Sequence, residues 1–183
     1  VKTWFYYLNQ IGDVEAIEEL LENNQNILDK QPEFHWQMKA FVKTLRKDFA
    51  EAENCFMNSQ EFINRVTSEY ALAINNIGLA QIFTMQGKIN PAQGALENAL
   101  FLSKKNKFHY WELVARIQLI RINLQDASIN LRSLIRELKS QQEEAQKRNY
   151  FLQEMLTYEL LIQIFSHLKK QREAKRYLNM YKQ

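Results

Sequence analysis

The chain has 183 residues, 46% hydrophobic and 12% aromatic, enough for a continuous core and too many for disorder. Four glycines and two prolines leave little for the turns of an all-β fold, and a single cysteine, Cys55, excludes an internal disulfide and a cysteine-cluster metal site. The net charge of +3 does not by itself argue for nucleic acid. No uncharged apolar run approaches the roughly 18 residues that a membrane span needs.

Leu, Ala, Glu, Lys, Gln and Ile dominate, an alphabet that favours helix. The chain opens with "VKTWFYYLNQIG" and "DVEAIEELLENNQNIL", a helical pair turning near residues 11–13 with Asp13 as N-cap. Its amphipathic start reads as helix rather than signal peptide, and the chain as a cytoplasmic piece of a larger protein. A second pair turns near residues 46–48, where Asp48 and Glu51 resemble a capping box.

The third pair is the most informative. "INNIGLAQIFTMQGKINPAQGALENAL" (74–100) holds three of the four glycines and one of the two prolines. Ile74, Ile77, Gly78, Ile82 and Met85 follow a 3.6-residue period behind Ser68, a candidate N-cap. A mid-helix glycine costs roughly 1 kcal/mol relative to alanine, so Gly78 predicts close approach by a neighbouring helix. Gly87 ends this helix as a residue free to take positive φ, with the turn at residues 86–90. Asn90 is then expected to cap the next helix, with Pro91 in its first turn and Ala92, Ala95, Leu96, Ala99 and Leu100 forming a narrow stripe.

The pattern recurs. Forty residues earlier, Phe34, Met38, Phe41 and Val42 fall on Ile74, Gly78, Gln81 and Ile82, while Lys47, Ala52, Phe56 and Ser59 fall on Gly87, Ala92, Leu96 and Ala99. Between them and the end lies "WELVARIQLIRINLQ" with "DASINLRSLIREL", a fourth pair turning near residues 124–126 behind Asp126, its register open by two or three residues. A shift of 82 places Leu156, Leu160, Lys169, Ala174, Leu178 and Tyr181 on Ile74, Gly78, Gly87, Ala92, Leu96 and Ala99, a fifth pair turning near residues 168–170. The expectation is an all-α fold, an α-α superhelix of five helical hairpins and ten helices, forming one repeat domain over residues 1–183.

Residues 75–100 resemble one tetratricopeptide repeat with a two-residue extension of its first helix. Asn76-Ile77-Gly78 is similar to the family's Asn-Leu-Gly, Gly87-Lys88-Ile89 and Gly12-Asp13-Val14 to its Gly-Asp-Tyr turn, and Ala92, Leu96 and Ala99 to its small-large-small second helix. "KDFAEAENCF" (47–56) and "KKQREAKRYL" (169–178) resemble the same turn and helix with the glycine replaced. The period of about 40 exceeds the family's usual 34. It is more similar to the repeats of bacterial transcription activators of the maltose-regulon-activator type, in which a tetratricopeptide-like sensor precedes a DNA-binding domain.

Chemistry is sparse. His35, His109 and His167 have no histidine or cysteine partner one helical turn away, so no metal site is expected. Cys55 lies on a buried stripe and reads as a core thiol. No glycine-rich phosphate loop or Ser-His-Asp arrangement is evident, so neither an enzyme nor a cofactor is expected. "FHW" (34–36) and "FHYW" (108–111) open first helices and read first as packing. Residues 13–33 hold seven acids and one base, and residues 169–182 six bases and one acid; the plain reading is two solvated helix faces, the sharper one a docking end.

The resemblance implies function by binding, with first helices lining a concave groove that takes a protein or peptide. It places Asn75, Asn76, Leu79 and Phe83 of the third pair in that groove. The 40-residue shift adds His35, Trp36, Lys39 and Lys43, and a looser shift Arg116. Asn76 suits an extended peptide backbone and Lys39, Lys43 and Arg116 suit carboxylates, so the expected partner is acidic; no direct nucleic-acid or membrane contact is expected. The alternative is the ligand-sensing domain of a multidomain transcription regulator. Polar and basic groove side chains favour the first reading, an enclosed apolar pocket the second.

Overall fold

The structure, a computed structural model, describes residues 5, 6, 8, 9, 12–124 and 129–182. Among these are ten helices and no strand: α1 (Val14–Asn23), α2 (Gln25–Leu28), α3 (Pro32–Leu45), α4 (Phe49–Val66), α5 (Glu69–Met85), α6 (Ile89–Lys105), α7 (His109–Asn123), α8 (Leu131–Lys147), α9 (Phe151–His167) and α10 (Gln171–Tyr181). Phe5, Tyr6, Leu8 and Asn9 are helical as well. The helices form two compact units, residues 1–108 and 109–183.

Six helix ends are alike. Lys47, Lys107, Asn149 and Lys169 take positive φ, and so do Gly12 and Gly87. At Lys47 its own N–H donates to Thr44 O at 3.0 Å and the next N–H, of Asp48, to Lys43 O at 2.9 Å. The same pair of bonds recurs at the other five positions. This is the Schellman arrangement, which satisfies the orphan carbonyls of a helix end. Gly87 therefore ends α5 as its sequence implies, and Lys47 and Lys169 do without glycine what Gly87 does with it. An L-residue in the left-handed region costs roughly 1–2 kcal/mol.

Starts are less uniform. Asp13 accepts from Ala16 N–H at 3.1 Å, Asp48 from Glu51 N–H at 3.4 Å and Ser68 from Ala71 N–H at 3.2 Å, as their positions predict. Asn90 does not cap: α6 begins at Ile89, straight after the turn at Gly87 and Lys88, leaving Asn90 and Pro91 inside its first turn. Pro91 is tolerated there because the first four N–H groups of a helix lack intrahelical partners. Residues 11, 125 and 126, and with them the expected Asp126 cap, lie outside the described residues; Asn130 caps α8. The helix expected through residues 13–28 is broken at Asn24, whose N–H turns back to Leu21 O.

Three second helices bury the same positions: Ala52, Phe56, Ser59 and Ile63 on α4, Ala92, Leu96, Ala99 and Ser103 on α6, Leu134, Leu138, Gln141 and Ala145 on α8. Each series ends four residues before a positive-φ residue, Thr67, Lys107 or Asn149. The spacing is thus 40 and then 42, which fixes the register of α8. On α10 the stripe departs from expectation. Leu178 and Tyr181 are more than a third exposed, and Tyr177 is buried instead, its ring stacked on Phe165 of α9 at 5.7 Å.

In the first unit α3 packs along α4 and α5 along α6, and α5 also meets α3 and α4. Gly78 is the tightest point. A Cβ built on it would stand 2.0 Å from Cζ of Phe56. That ring is 1% exposed and sits edge-on to Phe41 at 5.3 Å, so it has nowhere to retreat. The helix that approaches Gly78 is α4 of the preceding pair, through Phe56, and not its own partner α6. The second unit gathers Leu113, Ile117, Leu138, Leu161, Ile164 and Phe165 into its core.

Two predictions follow from these contacts. Gly78→Ala should destabilise the chain by about 1–3 kcal/mol in denaturant melts, and adding Phe56→Leu should recover part of the loss. Lys47→Gly and Lys169→Gly should each stabilise by roughly 1 kcal/mol, while Gly87→Ala, which meets no atom within 4 Å, should lose a similar amount through backbone strain alone.

Candidate functional site

The open surface of the first unit is built on α3 and α5. Trp36, Lys39 and Lys43 fall within one face of α3, and Asn76, Leu79 and Phe83 occupy the equivalent face of α5, forty residues on. None of the six is buried. The two helices touch, and Gln37, itself 1% exposed, donates from Nε2 to Ala71 O at 2.8 Å to tie them.

Each helix carries an aromatic ring under an ammonium group. Lys39 Nζ lies 5.1 Å from the Trp36 ring and Lys88 Nζ 5.9 Å from Phe83, both within cation–π range. Lys43 is 3.7 Å from Asp48, a half-exposed pair worth little in water. Asn76 donates from Nδ2 to Leu72 O at 2.9 Å. His35 is half-buried beside Trp36, ring to ring at 6.4 Å. Burial and the nearby Lys39 ammonium lower its pKa, against the opposing pull of Asp29. Burial raises the Cys55 thiol, with Glu51 adding to it and Lys39 and Lys43 opposing, so a core thiol is what the structure places here.

Two expected groove residues lie elsewhere. Asn75 is 1% exposed, and its Nδ2 reaches Phe56 O at 3.3 Å and Gln60 Oε1 at 3.2 Å. One residue along a helix is a rotation of about 100°. That step carries Asn75 off the open face to the side where α4 packs, the side on which Gly78 meets Phe56. Arg116, on α7 in the second unit, is spent on its own helix: Nε and Nη2 both donate to Glu112 Oε1, at 3.2 and 2.8 Å.

The second unit has its own concavity, a cleft of about 410 Å³ between α7 and α8. His109, Glu112, Leu113 and Arg116 line it from α7, and Ser140, Gln141, Glu143, Glu144 and Lys147 from α8. α3 and α4 are joined through residues 46–48 and α5 and α6 through 86–88, but α7 and α8 are joined through 124–130. The longer connection and the polar face of α8 leave these helices apart. Glu144 is hydrogen-bonded to Arg148, which lowers its carboxyl pKa, helped by Lys147 and His109.

"FHYW" is packing in part: Trp111 is buried, and Tyr110 sits edge-on to Trp111 at 4.9 Å and to Tyr150 at 5.4 Å. Among the described residues no group of three or more His, Cys, Asp or Glu side chains could hold a metal ion, and no helix is long and apolar enough to cross a membrane. Compared with protein-family models, curated proteins and solved structures, the chain matches none. The residue that sequence reasoning passed over is Gln141. Its signal was a large amide where the repeat elsewhere puts Ser59 and Ala99.

Proposed function

We propose that the chain is a tetratricopeptide-like binding module whose first helices present a groove to an extended, acidic peptide or protein segment. Support comes from the equivalent stripes of α3 and α5, where half-exposed Trp36 and Phe83 lie under Lys39 and Lys88 and are flanked by Lys43, Leu79 and Asn76. Rings offer apolar area at little entropic cost, and the ammonium groups beside them are placed for carboxylates on the ligand. The polar and basic character of this surface favours peptide binding over an apolar sensor pocket. In this reading five hairpins make an α-α superhelix, the chemistry is binding alone, and neither catalysis nor a cofactor is involved. Asn75 is excluded from the groove by its burial, and His35 is at its edge.

Pull-down from lysate with the parent chain and with an Asn76→Ala/Lys43→Glu variant tests this reading. A partner captured by the parent should be lost from the variant, and the affinity should fall steeply with added salt. Melting temperatures should agree within a few degrees, because both side chains lie at the surface and surface changes are typically within about 0.5 kcal/mol. Equal recovery of the partner by both proteins would remove the groove from α3 and α5.

A further inference from the structure

The α7–α8 cleft contains an amide that the fold does not use. Gln141 is 7% exposed, and no group of the described residues hydrogen-bonds its side chain. It lines the cleft. The corresponding positions are answered otherwise in the other repeats: Ser59 Oγ donates to Glu33 O at 2.9 Å, and Ala99 has nothing to satisfy. The amide atoms of Gln141 are not sealed off and keep access to the cleft, although leucine would match the stripe of Leu134, Leu138 and Ala145. A polar group set among apolar neighbours, with its amide open to a concavity, is placed for ligand recognition.

The neighbouring charges narrow the ligand. Glu112 is held by Arg116 at 2.8 Å and Glu144 by Arg148. Two opposite charges of the lining remain unpaired, Glu143 and Lys147, one helical turn apart on α8 and both exposed. His109 lies on the same side as Lys147, and both act electrostatically on Glu144. The cleft thus offers an amide that accepts through Oε1 and donates through Nε2, a free carboxylate and a free ammonium. Its volume of about 410 Å³ is near the lower end of ligand pockets.

We infer that this cleft binds a short zwitterionic peptide of two or three residues. Gln141 reads the N–H and C=O of its backbone, Lys147 and His109 take its carboxylate, and Glu143 takes its ammonium group. The site belongs to the second unit alone and stands or falls independently of the α3–α5 groove.

Calorimetric titration of the full chain with tri-alanine tests it, with N-acetylated, C-amidated tri-alanine and inorganic phosphate as controls. Tri-alanine should bind saturably. The blocked peptide should bind at least tenfold more weakly, and phosphate should not compete. Gln141→Leu should raise the melting temperature and reduce tri-alanine affinity at least tenfold, a combination that a packing role would not produce. Lys147→Glu, at an exposed position, should reduce affinity without changing the melt. Absence of saturable binding, equal binding of the blocked peptide, competition by phosphate, or full affinity in either variant would overturn the assignment.

Discussion

A helix that must reverse within three residues needs one backbone unit of left-handed conformation, and the rest of this structure is arranged around that need. The φ values at the six Schellman ends lie between 56° and 76°, whether the residue is glycine, lysine or asparagine. Because the turn closes two carbonyls the same way each time, the following helix starts at a fixed angular position. The buried stripes of α4 and α6, which follow the turns at Lys47 and Gly87, then fall in step. Gly78 is a consequence: with register set by the turns, Phe56 arrives at the same point of α5 in every molecule, and only a residue without Cβ leaves room for it.

Polar groups inside the helix pairs follow the same discipline. Thr44 and Thr84, forty residues apart, both donate from the hydroxyl to a carbonyl one turn back, Ala40 O and Ala80 O, at 2.8 Å. Gln37, Ser59 and Asn75 spend their side chains across helix boundaries. Such bonds add directionality to contacts that apolar packing would leave free to slide. Ser103 Oγ and Gln153 Nε2 are buried without a partner, whereas the Gln141 amide makes no such bond and opens onto the α7–α8 cleft.

The hairpin pattern was legible because its signals are local. Gly87, Asp13, Asp48 and Ser68 act through their own backbone or the next turn, and a forty-residue self-match needs only counting. What was not legible depended on neighbours. Nothing in the sequence distinguishes Asn75 from Asn76 as groove residues; the distinction is which side α4 covers. Asn90 looked like a cap because capping was judged by residue type, whereas the Schellman bonds of Gly87 and Lys88 had already fixed the start of α6. Positive φ at Lys107 left no trace in the sequence, whereas Lys47 and Lys169 were marked only by falling on Gly87 in the repeat. Arg116 was placed by a looser shift of the repeat, and a glutamate one turn earlier on its own helix claims its guanidinium.

Within each unit the principal helix contacts join elements that are first or second neighbours along the chain. The loops that must close to form them are therefore short, and the entropy lost before each contact forms is small. Such a low contact order favours fast folding and lets α3 and α4 settle while later helices are still being made on the ribosome. The apolar stripe of each newly emerged helix is covered within one or two helices of its synthesis. Little hydrophobic surface then stays exposed to other nascent chains.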